Sequence, residues 1–324
     1  MRDCLIAIAA LAAFQAAGPS APLTFIQSIP LPHVEGRIDH LAYDAASKRL
    51  FVAALGNNTV EVIDAAANSH ARSLSGFREP QGIAVAADAR LVAVANGQGE
   101  GLQFVDASLQ KGGTVALGDD SDNVRYDAAA KRLYVGFGSG ALAAVDPAAA
   151  KTVGEAKLSA HPESFQLEAS GSRIFVNVPN AAHIAVVDRS TMKVTATWPV
   201  TEARSNYPLA LDEANHRLFT GCRRPARALV YDTNAGKLLT SFDIVGDTDD
   251  LFYDAARKRL YVSGGEGYVD VVQDQGGGRF SRIAHMSTAA GARTSLFVAE
   301  ESRLYLAVPH RGGQKAEIRV YEAR

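Results

Sequence analysis

The chain has 324 residues, enough for one large single-core domain or two of average size. Charged residues make up 21% of it and the formal net charge is −2, which suggests neither a polyanion-binding tail nor an acidic disordered arm. This balance indicates no nucleic-acid partner.

The first stretch, MRDCLIAIAALAAFQAAGPSAP, carries an apolar run from Cys4 to Phe14 followed by small residues. The run is too short to span a bilayer comfortably. It reads as a secretory signal peptide over residues 1–17, although Gln15 is large for its place before a cleavage at Ala17; a buried apolar helix is the alternative. Export makes the mature protein periplasmic or secreted, with no membrane span left after cleavage. Loss of Cys4 leaves Cys222 as the sole cysteine, so the mature chain forms no internal disulfide.

One pattern then recurs seven times, in SKRLFVA, DARLVAV, AKRLYVG, GSRIFVN, NHRLFTG, RKRLYVS and ESRLYLA. Their arginines, Arg49, Arg90, Arg132, Arg173, Arg217, Arg259 and Arg303, are spaced by 41, 42, 41, 44, 42 and 44 residues. In each copy a short apolar strand such as HLAYD precedes a tight turn and the RLFVA-type strand. A Gly/Asn-rich loop, a strand closing on Asp (VEVID, IAVVD) and a fourth strand follow. A period in the low forties with period-two alternation predicts an all-β fold, a propeller of seven four-stranded antiparallel blades. The last copy ends in its third strand, IRVYEAR, and LTFIQSIPL at residues 23–31 supplies the missing one, closing the ring. A single propeller domain is expected over residues 22–324.

The segment KRLFVAALGNNTVEVIDAAANS resembles the YVTN repeat of bacterial YncE-like propellers, and the likeness extends over the whole mature chain. It implies a periplasmic or surface β-propeller and is nearly silent about activity.

The repeat sorts the aspartates. Asp44, Asp127, Asp212 and Asp254, with Glu168, stand at the mouth of the first tight turn, and Asp64, Asp106, Asp146, Asp188 and Asp232 start the next turn. A residue needed once per blade serves the blade, here by bonding turn N–H groups. The pairs before the innermost strands differ from copy to copy: Asp39 and His40, Gln81 and Gly82, Asp122 and Asn123, Glu163 and Ser164, Tyr207 and Pro208, Asp249 and Asp250, Thr294 and Ser295. They are predicted to converge at one mouth of the central channel, where function in a rigid ring is placed. A wet channel lined by polar residues that bind nothing in particular is the duller alternative. So much acid in one opening needs a cation, a proton or an arginine to offset it, and Arg37 and Arg293 stand beside the ring positions. The loops GCRRPAR and VPHRGGQKAE add Arg223, Arg224, His310 and Arg311 to the rim, suited to an anionic small molecule.

Local zinc spacings, a G-x-S-x-G elbow, a P-loop, a dinucleotide fingerprint and a C-x-x-C-H haem site are missing from the sequence. Two readings remain. The first is a binding module, a monomer holding a small ligand or protein partner through Arg37, Asp122, His161, Tyr207, Arg223, Arg224, Asp249, Arg293, His310 and Arg311. The second is a lactonase-like hydrolase or lyase with one divalent cation, Ca2+ or a transition metal. Its ligands would be Glu163, Asn123 and Asp250, with His40 or Asp39 transferring the proton.

Overall fold

The computed structural model describes residues 21–99 and 101–324; the expected signal peptide lies outside the described residues. The strands form seven four-stranded antiparallel sheets, each running in chain order from the channel outward. The one exception closes the ring. Leu23–Pro30 pairs antiparallel with Glu317–Ala323 as the outermost strand of blade 7.

The core is a ring of seams rather than one centre. Seven apolar clusters each join two adjacent blades, the last joining blades 7 and 1 through Ile29, Val52, Ile63, Tyr305 and Ile318. A blade therefore buries both faces of its middle strands, which is why the second strands read as continuous apolar runs instead of alternating. Arg49–Ala54 shows this, with every residue after Arg49 buried, whereas the outer strand Ser69–Ser75 buries only Leu74. Third and fourth strands slip by one residue at the same place in blades 1, 3, 4, 5 and 6, a repeated bulge that adds twist toward the rim.

Most of the turn aspartates do what their repetition implies; Asp212 is the exception and accepts from the Asn215 and Arg217 side chains instead. Asp64, Asp146 and Asp232 each accept N–H bonds from two residues of the turn that follows, and Asp254 accepts the Arg257 N–H at 3.1 Å. The repeated arginines clip blades together: Arg49 reaches the Ala107 carbonyl of blade 2, Arg303 the Ala65 carbonyl of blade 1, and Arg217 bridges Asp212 and Asp274 at 2.6 Å each. Arg90 is not an equivalent of these. It has φ +55, like Lys48, Lys131, His216 and Lys258, and Leu91 takes the paired position that Arg49 holds in blade 1. Among the described residues no helix is long and apolar enough to cross a membrane.

Candidate functional site at the channel mouth

Backbone pairing fixes one residue per blade at the same height on the channel wall. Asp39 N–H donates to the Ala53 carbonyl at 2.7 Å, Asp122 N–H to Gly136 at 2.9 Å and Glu163 N–H to Asn177 at 2.9 Å. In blade 7 the Ala307 N–H bonds the Thr294 carbonyl, as Ala53 bonds His40 in blade 1, so Arg293 holds the position equivalent to Asp39. The repeat alignment set Thr294 there; the true register is one residue earlier and puts a cation on the ring. Asp39, Gln81, Asp122, Glu163, Tyr207, Asp249 and Arg293, one from each blade, all line a single pocket of about 300 Å³. Arg37, His40, Asp120, His161 and Arg223 complete its wall.

Three of these groups form a site that could hold a metal. Asp122, His161 and Glu163 each offer a donor atom, all within 4.8 Å of one another. The imidazole is oriented for it. His161 Nδ1 lies 2.6 Å from the Gly138 carbonyl, which only accepts, so Nδ1 carries a proton and Nε2 faces Asp122 Oδ2 at 3.9 Å. A backbone carbonyl on the far ring nitrogen is the usual support of a ligating histidine. Burial pushes the Glu163 carboxyl up to about 9, with Asp122 and Asp249 adding to the effect. Burial opposes a charge on His161, but its bonds to Asp122 and Gly138 and the nearby Asp120 win and raise it to about 9. Without a metal, both groups therefore hold protons at neutral pH.

His40 stands across the pocket. Its Nδ1 is 3.4 Å from Asp250 Oδ1, and its Nε2 is 3.7 Å from Asp39 and 4.0 Å from Asp122. Burial works against its charge, yet Asp250, Asp39 and Asp122 outweigh it and lift the imidazole to about 10. Burial raises Asp39 to about 6, held back by His40 and Arg37 and helped by Asp122 and Asp249.

The third group is built on Asp249. Arg223 Nη2 and Arg293 Nε reach its two oxygens at 2.6 and 2.9 Å, and Arg223 lies 3.7 Å above the Tyr207 ring centroid. Burial still raises the Asp249 carboxyl despite both arginines. Arg125 is packed alongside, with Nη1 on the Val124 carbonyl at 2.9 Å and Asp250 and Asp122 close enough to favour its charge against burial. Six carboxylates (Asp39, Asp120, Asp122, Asp247, Asp249, Asp250) then face six cations (Arg37, Arg125, Arg223, Arg293, His40, His161), with Glu163 neutral. A divalent cation that displaced the protons of His161 and Glu163 would leave the net charge of the mouth unchanged.

Other sequence candidates lie outside this pocket. Asn123 is buried beside Asp122, its Oδ1 without a partner among the described residues, but it does not line the cavity. Asp250 Oδ2 accepts the Ser295 N–H at 2.8 Å, and Asp250 acts on the site through His40. Arg224 is exposed at the end of its strand, away from the mouth. His310 and Arg311 line a neighbouring cleft that shares Arg37 and Arg293 with the mouth. Sequence reasoning passed over Asp120, Asp247 and Arg125, and only the last left a signal: it stands where blades 1, 2 and 5 carry Ala42, Ala84 and Ala210. A groove of about 720 Å³ between blades 3 and 4 at the other face has its acids Asp127 and Glu168 already paired to Arg189 and Arg173.

Neither a protein-family model nor a curated protein matches the chain by sequence. Solved structures do match. The hydrazine synthase of Kuenenia stuttgartiensis is similar with a TM-score of 0.75 at 16% identity, over 86% of this chain and 93% of that one. A chain of a mitotic checkpoint complex crystal structure is similar with a TM-score of 0.79 at 13% identity, over 99% of this chain and 98% of that one. The kinship is one of fold alone. Proteins named for such different roles share this ring, so activity must be argued from the residues at the mouth.

Proposed function

We propose that the channel mouth binds one divalent cation through Asp122, His161 and Glu163 and uses it to hold a small, oxygen-rich ligand. The observation that carries this reading is the convergence of three donors within 4.8 Å, with His161 Nδ1 tied to the Gly138 carbonyl so that Nε2 is free to ligate. Two oxygens and a nitrogen suit a transition metal or a mixed oxygen site, with the ligand's own oxygens filling the remaining positions. The signal-peptide reading of residues 1–17 and the YVTN-like repeat support an exported protein of the periplasm or cell surface.

Hydrolysis of an ester or lactone is the second reading, favoured by the Asp39–His40 pair. A carboxylate lifted to about 6 suits a general base near neutral pH, and the imidazole beside it, lifted to about 10, suits a general acid. Water would add to the acyl carbon as its proton passes to Asp39, and the departing oxygen would take a proton from His40.

Elemental analysis of the purified protein tests the first reading. About one ion per chain is expected in the wild type and far less in Glu163→Gln and Asp122→Asn. A metal-free wild type that takes up none on dialysis against Mn2+, Zn2+ or Ca2+ would exclude it. A lactone and ester screen tests the second: Asp39→Asn should keep its metal and lose turnover.

A further inference from the structure

A second cleft opens beside the mouth, between blades 7 and 1, with a volume of about 340 Å³. Arg37 and Arg293 belong to both cavities, so the two form one continuous surface. Two arginines of the cleft are already matched, Arg37 to Asp39 at 3.2 Å and Arg293 to Asp247 at 3.1 Å, and His310 Nδ1 lies 2.7 Å from Glu35. Arg311 is not. It is exposed, and among the described residues no carboxylate lies within ion-pair distance of its guanidinium, which leaves that group without a protein counter-ion.

The seat of Arg311 is built. Its loop closes on reciprocal backbone bonds between Arg311 and Gln314, 3.0 Å each, and Gln314 Nε2 anchors the loop to the Ala290 and Pro309 carbonyls at 3.0 and 2.8 Å. The guanidinium lies against Gly291, whose φ is +79 and whose Cβ, if present, would stand 2.8 Å from Arg311 Nη1. The positive φ favours glycine, and a side chain there would have to push the guanidinium aside. A planar guanidinium with free N–H groups matches a carboxylate in two parallel bonds, and one unpaired guanidinium matches one carboxylate.

We infer that this cleft takes the carboxylate of a hydroxylated monocarboxylic acid, with Arg311 as its principal partner and Arg37 and Arg293 flanking. The hydroxyl oxygens then extend into the mouth toward Asp122, His161 and Glu163; this end of the ligand rests on the cation reading above.

Gluconate serves as probe, with glucitol as its uncharged counterpart, titrated into the full chain with and without Mn2+. Gluconate is expected to bind the Mn2+-supplied protein and glucitol about tenfold more weakly or not at all. Arg311→Gln should lower gluconate affinity about tenfold, while Lys315→Ala, the same charge loss in the same loop but outside the cleft, should not. Equal affinity for the two probes, an Arg311→Gln protein that binds like the wild type, or no gluconate binding under either condition overturns the inference. Gluconate binding that depends on Arg311 but not on Mn2+, in a wild type that takes up no Mn2+, keeps the anion cleft and overturns the cation site.

Discussion

His40 of blade 1 and Asp250 of blade 6 meet across the channel mouth, Nδ1 to Oδ1 at 3.4 Å, although blade 7 separates their strands around the ring. The contact links two blades that share no apolar seam. Asp250→Asn leaves a buried imidazolium with less compensation and should cost about 3 kcal/mol near neutral pH. The sign with pH follows from His40, lifted from 6.5 to about 10 in the fold. A raised folded value contributes stability that is complete below about 6.5 and lost as pH rises through about 10. Urea unfolding should therefore show a large deficit for Asp250→Asn near pH 6 and a smaller one near pH 10; equal deficits would refute the pairing.

Glu163 gives the opposite mutant effect for the same reason. Its carboxyl moves from 4.5 to about 9 on folding, so it favours the fold below about 4.5 and this advantage is lost as pH rises through about 9. Glutamine keeps the neutral shape and removes the titration. Between about pH 6 and pH 9, Glu163→Gln should gain at least about 1 kcal/mol on the wild type, read as a rising difference in melting temperature. Mn2+ should remove that difference by stabilising the wild type alone.

The Arg223 guanidinium is held between the Tyr207 ring and Asp249. Tyr207→Leu should cost about 1 kcal/mol for the lost cation–π contact. Arg223→Ala should cost about 3 kcal/mol, because Asp249 is then left with Arg293 alone. A double-mutant cycle in chemical denaturation should return a coupling of about 1 kcal/mol between the two; additive effects would mean the stack carries no energy.

Ring closure depends on the first described strand. Ile29 is 1% exposed and packs into the blade 7–1 seam, whereas Ile26 of the same strand is 42% exposed. Ile29→Ala should cost about 3 kcal/mol and Ile26→Ala no more than about 0.5 kcal/mol in equilibrium unfolding. Similar losses at both positions would mean that the strand is not seated as described.

The ring was legible because each blade buries both faces of its middle strands, which prints the same apolar run seven times, and because the turns need an acid at fixed offsets. The ring residues were legible as exceptions to that repetition, since Asp39, Asp122, Glu163, Tyr207 and Asp249 do reach one pocket. The metal trio was harder to read. Asp249 is the extra residue of a β-bulge between Thr248 and Asp250, so Asp249 faces the channel while Asp250 reaches Ser295 of the next blade, a detail that plain strand alternation does not show. His161 enters from the loop two residues ahead of Glu163, the offset at which Arg37 and Asp120 precede Asp39 and Asp122 in their own blades. The register of blade 7 is set by backbone pairing, Ser295 with Leu306 through Val298 with Arg303 and the Ala307 N–H on the Thr294 carbonyl, and side-chain pattern alone does not show it.

The most direct measurement is a calorimetric titration of the metal-free protein with Mn2+ near pH 7, repeated in two buffers of different ionisation enthalpy. One ion per chain should bind with release of about two protons, those of His161 and Glu163, and Glu163→Gln should bind far more weakly and release about one. No binding, or binding that releases no protons and is the same in Glu163→Gln, would contradict a cation site built from Asp122, His161 and Glu163.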